Sequence, residues 1–230
     1  MEVCVRKVLE FLGLEREYGA IVETDTGIPI AVGLSSSSAA SNAVVLATFA
    51  ALDEKPKPET VIDLAIDASF EAGVTVTGAL DDAAASYLGC GVITNNRERR
   101  ILKKFTIDPE LEVLIHIPPE RTYTCSVTPR RVKSIAKFVR AAHRQALLGN
   151  VFGAMTLNGL LYSSVLGQDP TTALDAISSG AIAAGLTGTG PATIAISKPE
   201  KSQRIKRVWK SRGGRILVTK PSTAGARVES

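Results

Sequence analysis

The sequence predicts an α+β fold, because its strand-like and helix-like stretches are mixed without the strict alternation of a doubly wound parallel sheet. Two further observations agree. At ~150 residues per domain, a length of 230 suits one large domain or two modest ones. A composition that is 45% hydrophobic and 22% charged is that of a globular chain with a real core. The pattern restarts at Leu111, so we expect one domain over residues 1–110 and a second over 111–230, with no internal repeat.

Taken in order, Cys4, Val5, Val8, Leu9 and Leu12 recur at helical spacing, and Gly13 ends that helix. Residues 19–24 alternate like a strand and run into the turn signal Asp25-Thr26-Gly27, after which Pro29 excludes a helix. The uncharged run from Ala39 to Leu52 predicts a helix apolar on every side, and therefore buried. Thr60 is placed to cap a helix over 61–72, with Asp63 in a capping-box position and Gly73 as its stop. A strand near 74–77 precedes a helix of small residues from Asp81 to Leu88, and a hairpin joins 92–94 to 100–105. Beyond Leu111 the expected order is a strand at 112–117, helices at 129–148, 150–165 and 171–180, strands at 182–187 and 191–197, a helix at 201–210 and a strand at 214–219.

Several function classes fall away on inventory. Cys4, Cys90 and Cys125 are scattered and odd in number, which suits a reducing compartment better than a disulfide framework. With no long apolar run, and with Glu2, Arg6, Lys7 and Glu10 in the first helix, the expectation is a soluble, cytoplasmic protein with no membrane partner. Two histidines, His116 and His143, are too few for a multi-histidine zinc site. The net charge of +4 is concentrated from Lys198 onward, where ten Lys or Arg stand against Glu200 and Glu229. Without interleaved aromatics or a nucleic-acid motif, that stretch reads as a solvated basic helix and tail, with no nucleic-acid partner.

Three segments carry chemistry. In Ile30-Ala31-Val32-Gly33-Leu34-Ser35-Ser36-Ser37-Ser38-Ala39, a glycine permits close backbone approach and four serines stand where a helix begins. The first turn of a helix offers unpaired N–H groups and a partial positive charge, which suits phosphate. A simple N-cap would need only one serine. The run lacks the lysine and second glycine of a Walker loop. Leu186-Thr187-Gly188-Thr189-Gly190-Pro191 is a tight glycine turn between apolar strands, weak evidence alone. Gly78-Ala79-Leu80-Asp81-Asp82 opens a helix with two carboxylates, and two readings stand together: favourable dipole placement, or a group that accepts a hydroxyl proton.

Together these segments resemble the GHMP kinases, the superfamily of galactokinase, homoserine, mevalonate and phosphomevalonate kinases. Pro29-x-x-x-Gly33-Leu34-Ser35-Ser36-Ser37-Ser38-Ala39 is similar to the family's phosphate loop, and Gly188-Thr189-Gly190-Pro191 to its C-terminal glycine motif. Thr77-Gly78-Ala79-Leu80-Asp81-Asp82-Ala83 narrows the likeness to the archaeal-type shikimate kinases, and the resemblance extends over nearly the whole chain. It implies a GHMP two-domain architecture with a ferredoxin-like C-terminal domain, ATP and Mg²⁺ as cofactors, and phosphorylation of the shikimate 3-hydroxyl in aromatic amino-acid biosynthesis. It implies further that Asp82 is catalytic, that residues 30–39 with Gly188, Thr189 and Gly190 bind the ATP phosphates, and that Ser37 meets the metal. Asp81, Arg121 and Arg130 are the candidates for holding the acceptor, the arginines as bidentate carboxylate partners. The family carries strands ahead of its first helix, so a truncated N-terminal domain with exposed strand edges and an incomplete adenine pocket is expected here. A homoserine- or mevalonate-type kinase, and a nucleotide-binding fragment without turnover, stand as alternatives.

Overall fold

The computed structural model describes residues 1–73, 75, 79–119 and 129–229. It divides into two compact units, one of Met1–Pro29, Ser35–Thr106 and Ser222–Ser230, the other of Ile30–Leu34 and Ile107–Pro221.

The first unit holds α1 (Glu2–Leu12), α2 (Ser36–Ala51), α3 (Pro58–Glu71), α4 (Leu80–Leu88), β1 (Gly91–Asn95) and β2 (Arg100–Phe105). Cys4, Val5, Val8 and Leu9 of α1 meet Val44, Val45 and Phe49 of α2 and Val61, Ala65 and Ala68 of α3 in one buried cluster. Gly13 ends α1 in the left-handed conformation, which glycine adopts without a Cβ penalty. A second cluster joins Ile62 and Ile66 of α3 to Leu80, Ala83 and Ala84 of α4. The tiny residues of α4 let it lie close to its neighbours. From Ser222 the chain returns to this unit: the Ala226 N–H donates to the Tyr87 carbonyl (2.7 Å). A Cβ on Gly89 would overlap the Ala224 carbonyl.

Three details differ from expectation, and a fourth is not described. Residues 19–24 form no strand; Ile21 is 97% exposed, and among the described residues no strand pairs with this segment. An alternating pattern without a partner has nowhere to place its backbone hydrogen bonds. The helix after the serine run starts at Ser36 rather than Ala39 and buries one side only, since Ala43 and Ala47 are exposed. Helix α3 begins at Pro58, whose fixed φ suits the first helical position, so Thr60 lies inside it and caps nothing. The strand expected near 74–77 falls largely outside the described residues.

The second unit is a split β-α-β. Its elements are β3 (Glu112–Ile117), α5 (Pro129–Leu147), α6 (Val151–Leu166), α7 (Thr171–Ser178), β4 (Ala183–Leu186), β5 (Thr193–Ser197), α8 (Pro199–Lys210) and β6 (Arg215–Thr219). The sheet order β4-β5-β3-β6, antiparallel throughout, is the ferredoxin-like arrangement. Leu114 and Ala195 from neighbouring strands face Ala173, Ala176, Ile205 and Trp209 of α7 and α8. The buried Trp209 indole donates to the Thr172 carbonyl (2.9 Å), and His116 Nε2 donates to the Gly213 carbonyl (2.8 Å). Thr156 of α6 accepts from the Ala184 N–H of edge strand β4 (3.2 Å), satisfying a donor that a further strand would otherwise claim.

Candidate active site

The expected phosphate-loop residues fall into both units, and the chain passes from one to the other between Leu34 and Ser35. In the second unit, Ile30–Leu34 is pinned to the glycine turn by one backbone hydrogen bond, one from a side chain, and close backbone approach at the glycines. The Ala192 N–H donates to the Val32 carbonyl (3.2 Å), and Thr187 Oγ1 donates to the Gly33 carbonyl (2.9 Å). The turn closes on itself through Gly190 N–H to the Thr187 carbonyl (2.9 Å). A Cβ at Gly33 would run into the Thr187 carbonyl, and one at Gly188 would stand 3.0 Å from the Gly33 oxygen. Val32 is buried, whereas Ile30, Ala31, Gly188 and Thr189 are exposed. The structure therefore brings Gly33 together with Gly188 and Gly190 and leaves the outer surface of this loop pair open.

The loop's dihedrals are unusual. Ala31 (φ 60°), Gly33 (φ 84°) and Ser35 (φ 54°) are left-handed in alternation with ordinary residues. Such alternation turns successive N–H groups toward one side, the geometry of an anion-binding nest. Two non-glycine residues held in that region carry strain of the kind that gathers at functional sites.

In the first unit, Ser35 is the N-cap of α2, yet its side chain makes no capping bond. The reading of the serines as a plain cap is thereby set aside. Ser36, Ser37 and Ser38 form the first turn, with Ser37 the most open of them, and Ala39 follows, its N–H bonded to the Ser35 carbonyl (3.1 Å).

Asp82 is the third residue of α4, after the left-handed cap residue Ala79 (φ 45°). Burial pushes its carboxyl above the ordinary aspartate range; the Ser35 hydroxyl acts in the opposite sense as a donor to the charged form, and the Asp81 charge adds to the rise. The pair is thus split by environment. Asp82 is partly buried beside Ser35, whereas Asp81 is exposed and its Oδ1 accepts from Asn96 Nδ2 (2.8 Å), itself braced by Thr94 (2.7 Å). Of the arginine candidates, Arg130 is an exposed residue in the first turn of α5, and Arg121 lies outside the described residues.

Two participants escaped the sequence reading. Thr187 was read as part of a turn but donates its hydroxyl to the Gly33 carbonyl of the loop. Asn42, 2% exposed in the middle of α2, donates through Nδ2 to the Ala83 carbonyl (2.8 Å) and to Ser86 Oγ (2.7 Å) of α4. A lone amide in so apolar a helix was the signal available for it.

Residues 2–90 match the family model of the GHMP kinases N terminal domain, and residues 135–215 that of the GHMP kinases C terminal. The shikimate kinase of Methanothermobacter thermautotrophicus is 42% identical over 233 residues, covering 99% of this chain and 80% of that protein.

The chain belongs to the GHMP kinase family.

A second archaeal relative, the shikimate kinase of Methanobrevibacter smithii, is 40% identical over 98% of this chain and 80% of its own length. Among solved structures, the Methanococcus jannaschii mevalonate kinase superposes with a TM-score of 0.72 at 18% identity, covering 95% of this chain and 74% of that one, a likeness of fold. As a GHMP kinase, this protein is an ATP-dependent small-molecule kinase. Among the described residues no helix is long and apolar enough to cross a membrane.

Proposed function

We propose that this GHMP kinase transfers the ATP γ-phosphoryl group to the 3-hydroxyl of shikimate. The observation that carries the reading is Asp82, a carboxylate set apart from its neighbour Asp81 by partial burial and the Ser35 hydroxyl. The archaeal relatives of nearly the same span support the choice of acceptor.

In this reading the ATP phosphates lie on the backbone N–H groups of the loop at 30–35 and on the first turn of α2, where dipole and unpaired donors favour anions. Residues Gly188, Thr189 and Gly190 hold that loop in shape through the Gly33 contact. Asp82 orients the attacking hydroxyl and takes its proton, the part a carboxylate plays in phosphoryl transfer. Among the described residues there is no cluster of three His, Cys, Asp or Glu for a metal. The Ser37 hydroxyl is an oxygen donor of the kind that Mg²⁺ takes, an ion that binds through one or two protein oxygens together with substrate phosphates and water. Ser37 is the residue we assign to it, and the ion would neutralise phosphate charge. Asp81, Arg121 and Arg130 are each proposed as residues that bind the acceptor.

The test is a substrate screen with ATP and shikimate, homoserine or mevalonate, the product located by ³¹P and ¹³C NMR. Transfer to the 3-hydroxyl of shikimate is expected. Turnover of homoserine or mevalonate without shikimate, or binding of ATP with no turnover of any acceptor, overturns the proposal.

A further inference from the structure

Asn42 is the most buried amide of the first unit, and it reaches neither the phosphate loop nor solvent. Its Nδ2 spends both protons on α4: one on the carbonyl of Ala83, the residue after Asp82, and one on Ser86 Oγ. Ser86 Oγ also lies 3.3 Å from the same Ala83 carbonyl, so three groups form one small network on the side of α4 that meets α2. The other atom of the amide, Oδ1, is buried without a partner. An acceptor stranded in this way is a standing cost, so the two donations must be worth more than the site would gain from an apolar residue. The apolar packing of α4 is directed elsewhere: Leu80, Ala83 and Ala84 lie with Ile62 and Ile66 of α3, and Asn42 supplies a polar link between α4 and α2.

Apolar contacts are non-directional and fix the position of one helix along another only loosely, and a shift of ~1 Å in a reacting group lowers a rate by roughly 100-fold. The amide removes that freedom, because a fork bonded to one carbonyl and one hydroxyl fixes both the height and the rotation of α4 against α2. What α4 carries at its start is Asp82, and what α2 carries at its start is Ser35. We infer that Asn42 is a positioning residue for phosphoryl transfer: by clamping α4 to α2 through Ala83 and Ser86 it sets the Asp82 carboxylate against the Ser35 hydroxyl. The inference rests on the reading of Asp82 as the group that handles the acceptor proton.

The experiment measures kcat, KM for ATP and the pH profile of kcat for Asn42→Leu, Ser86→Ala, Ser35→Ala and Asp82→Ala. Asn42→Leu keeps the volume and removes the fork. It is expected to lower kcat by roughly 100-fold while KM for ATP stays within about twofold. Loosening the Ser35 donor from Asp82 raises the carboxyl further, so the acid limb of kcat moves to higher pH in Asn42→Leu, and moves the same way in Ser35→Ala. A purely structural amide would lower the amount of folded enzyme and leave that limb in place. Should Asn42→Leu fail to fold, Ser86→Ala removes one arm of the fork alone and is expected to shift the limb in the same direction. If the folded Asn42→Leu enzyme, or Ser86→Ala in its stead, keeps the wild-type limb and kcat while Asp82→Ala abolishes turnover, the positioning role is wrong and the proposed mechanism stands. If Asp82→Ala itself keeps kcat within about tenfold of the parent, well short of the loss a general base supplies, the mechanism has failed and the positioning role falls with it.

Discussion

The two parts of the site are built by opposite means. In the second unit the loop at Ile30–Leu34 is held by backbone: carbonyls, N–H groups and glycines whose missing Cβ atoms make the approach possible. In the first unit the ends of α2 and α4 are set by side chains, namely Ser35, Asn42, Asp82 and Ser86. On the proposed function, the difference follows from the task. A phosphate offers oxygens on every side and is satisfied by many weak backbone donors, which no mutation of a side chain removes. A proton must leave one oxygen for another, and that requires a single group with a tuned acidity. The backbone-built part should therefore tolerate changes of side chain and fail when a Cβ is added, and the side-chain part should behave the other way round.

The sharpest break of that comparison is Asp82→Ala, for which kcat is expected to fall by roughly 10²–10⁴ with KM for ATP nearly unchanged, as steady-state kinetics will show. Asp82→Asn adds a stability test. Because burial raises the folded-state pKa above its unfolded value, the folded protein holds this proton more tightly, and the ionised carboxylate opposes folding once pH exceeds the folded pKa. Thermal unfolding at pH 7 should then show Asp82→Asn to be at least as stable as the parent, the advantage vanishing as pH falls below about 4, where the aspartate is neutral in both states.

Next in size is Gly33→Ala. Its φ of 84° and the Thr187 carbonyl in its path leave no place for a methyl group. A cost of about 1–3 kcal/mol is expected, read as a rise in KM for ATP of tenfold or more with kcat less affected. A smaller effect belongs to Thr187→Val, which keeps the shape and deletes one hydrogen bond to the Gly33 carbonyl. The loss should be about 1 kcal/mol, seen as a several-fold weaker ATP titration. Smallest is Ile30→Ala: this side chain is 68% exposed within the loop itself, and ATP binding by calorimetry should stay within about twofold of the parent. An equal loss from Ile30→Ala and Gly33→Ala would end the claim that this part is made of backbone.

How much of this could be read beforehand follows the same division. The serine run and the glycine turn were legible because a backbone-built site needs particular residues, glycines above all, at particular places in the sequence. The ferredoxin-like order was legible because each strand and helix of the second unit carries its own period. Asn42 and Thr187 were less so: both are ordinary residues whose partners, Ala83 and Gly33, stand far away in sequence, and only packing reveals the pairing. Residues 19–24 show the converse failure. Their alternation is a correct local signal for a strand, but strand formation is decided by a partner, which a local pattern does not contain.

The return of the chain after β6 has a consequence for how the protein comes to be folded. The contacts that close around the last turn of α4, Tyr87 with Ala226 and Gly89 beneath Ala224, join residues separated in sequence by the whole second unit apart from the loop at Ile30–Leu34. On a ribosome, α1 to α4 emerge long before the segment that completes them. The first unit must therefore wait, partly open, while the ferredoxin-like unit is made, and such long-range closures slow folding and expose an unfinished surface to aggregation. The helix that carries Asp82 is thus among the late parts of the molecule to be secured, and its vulnerability during synthesis should exceed anything its stability in the finished protein would suggest.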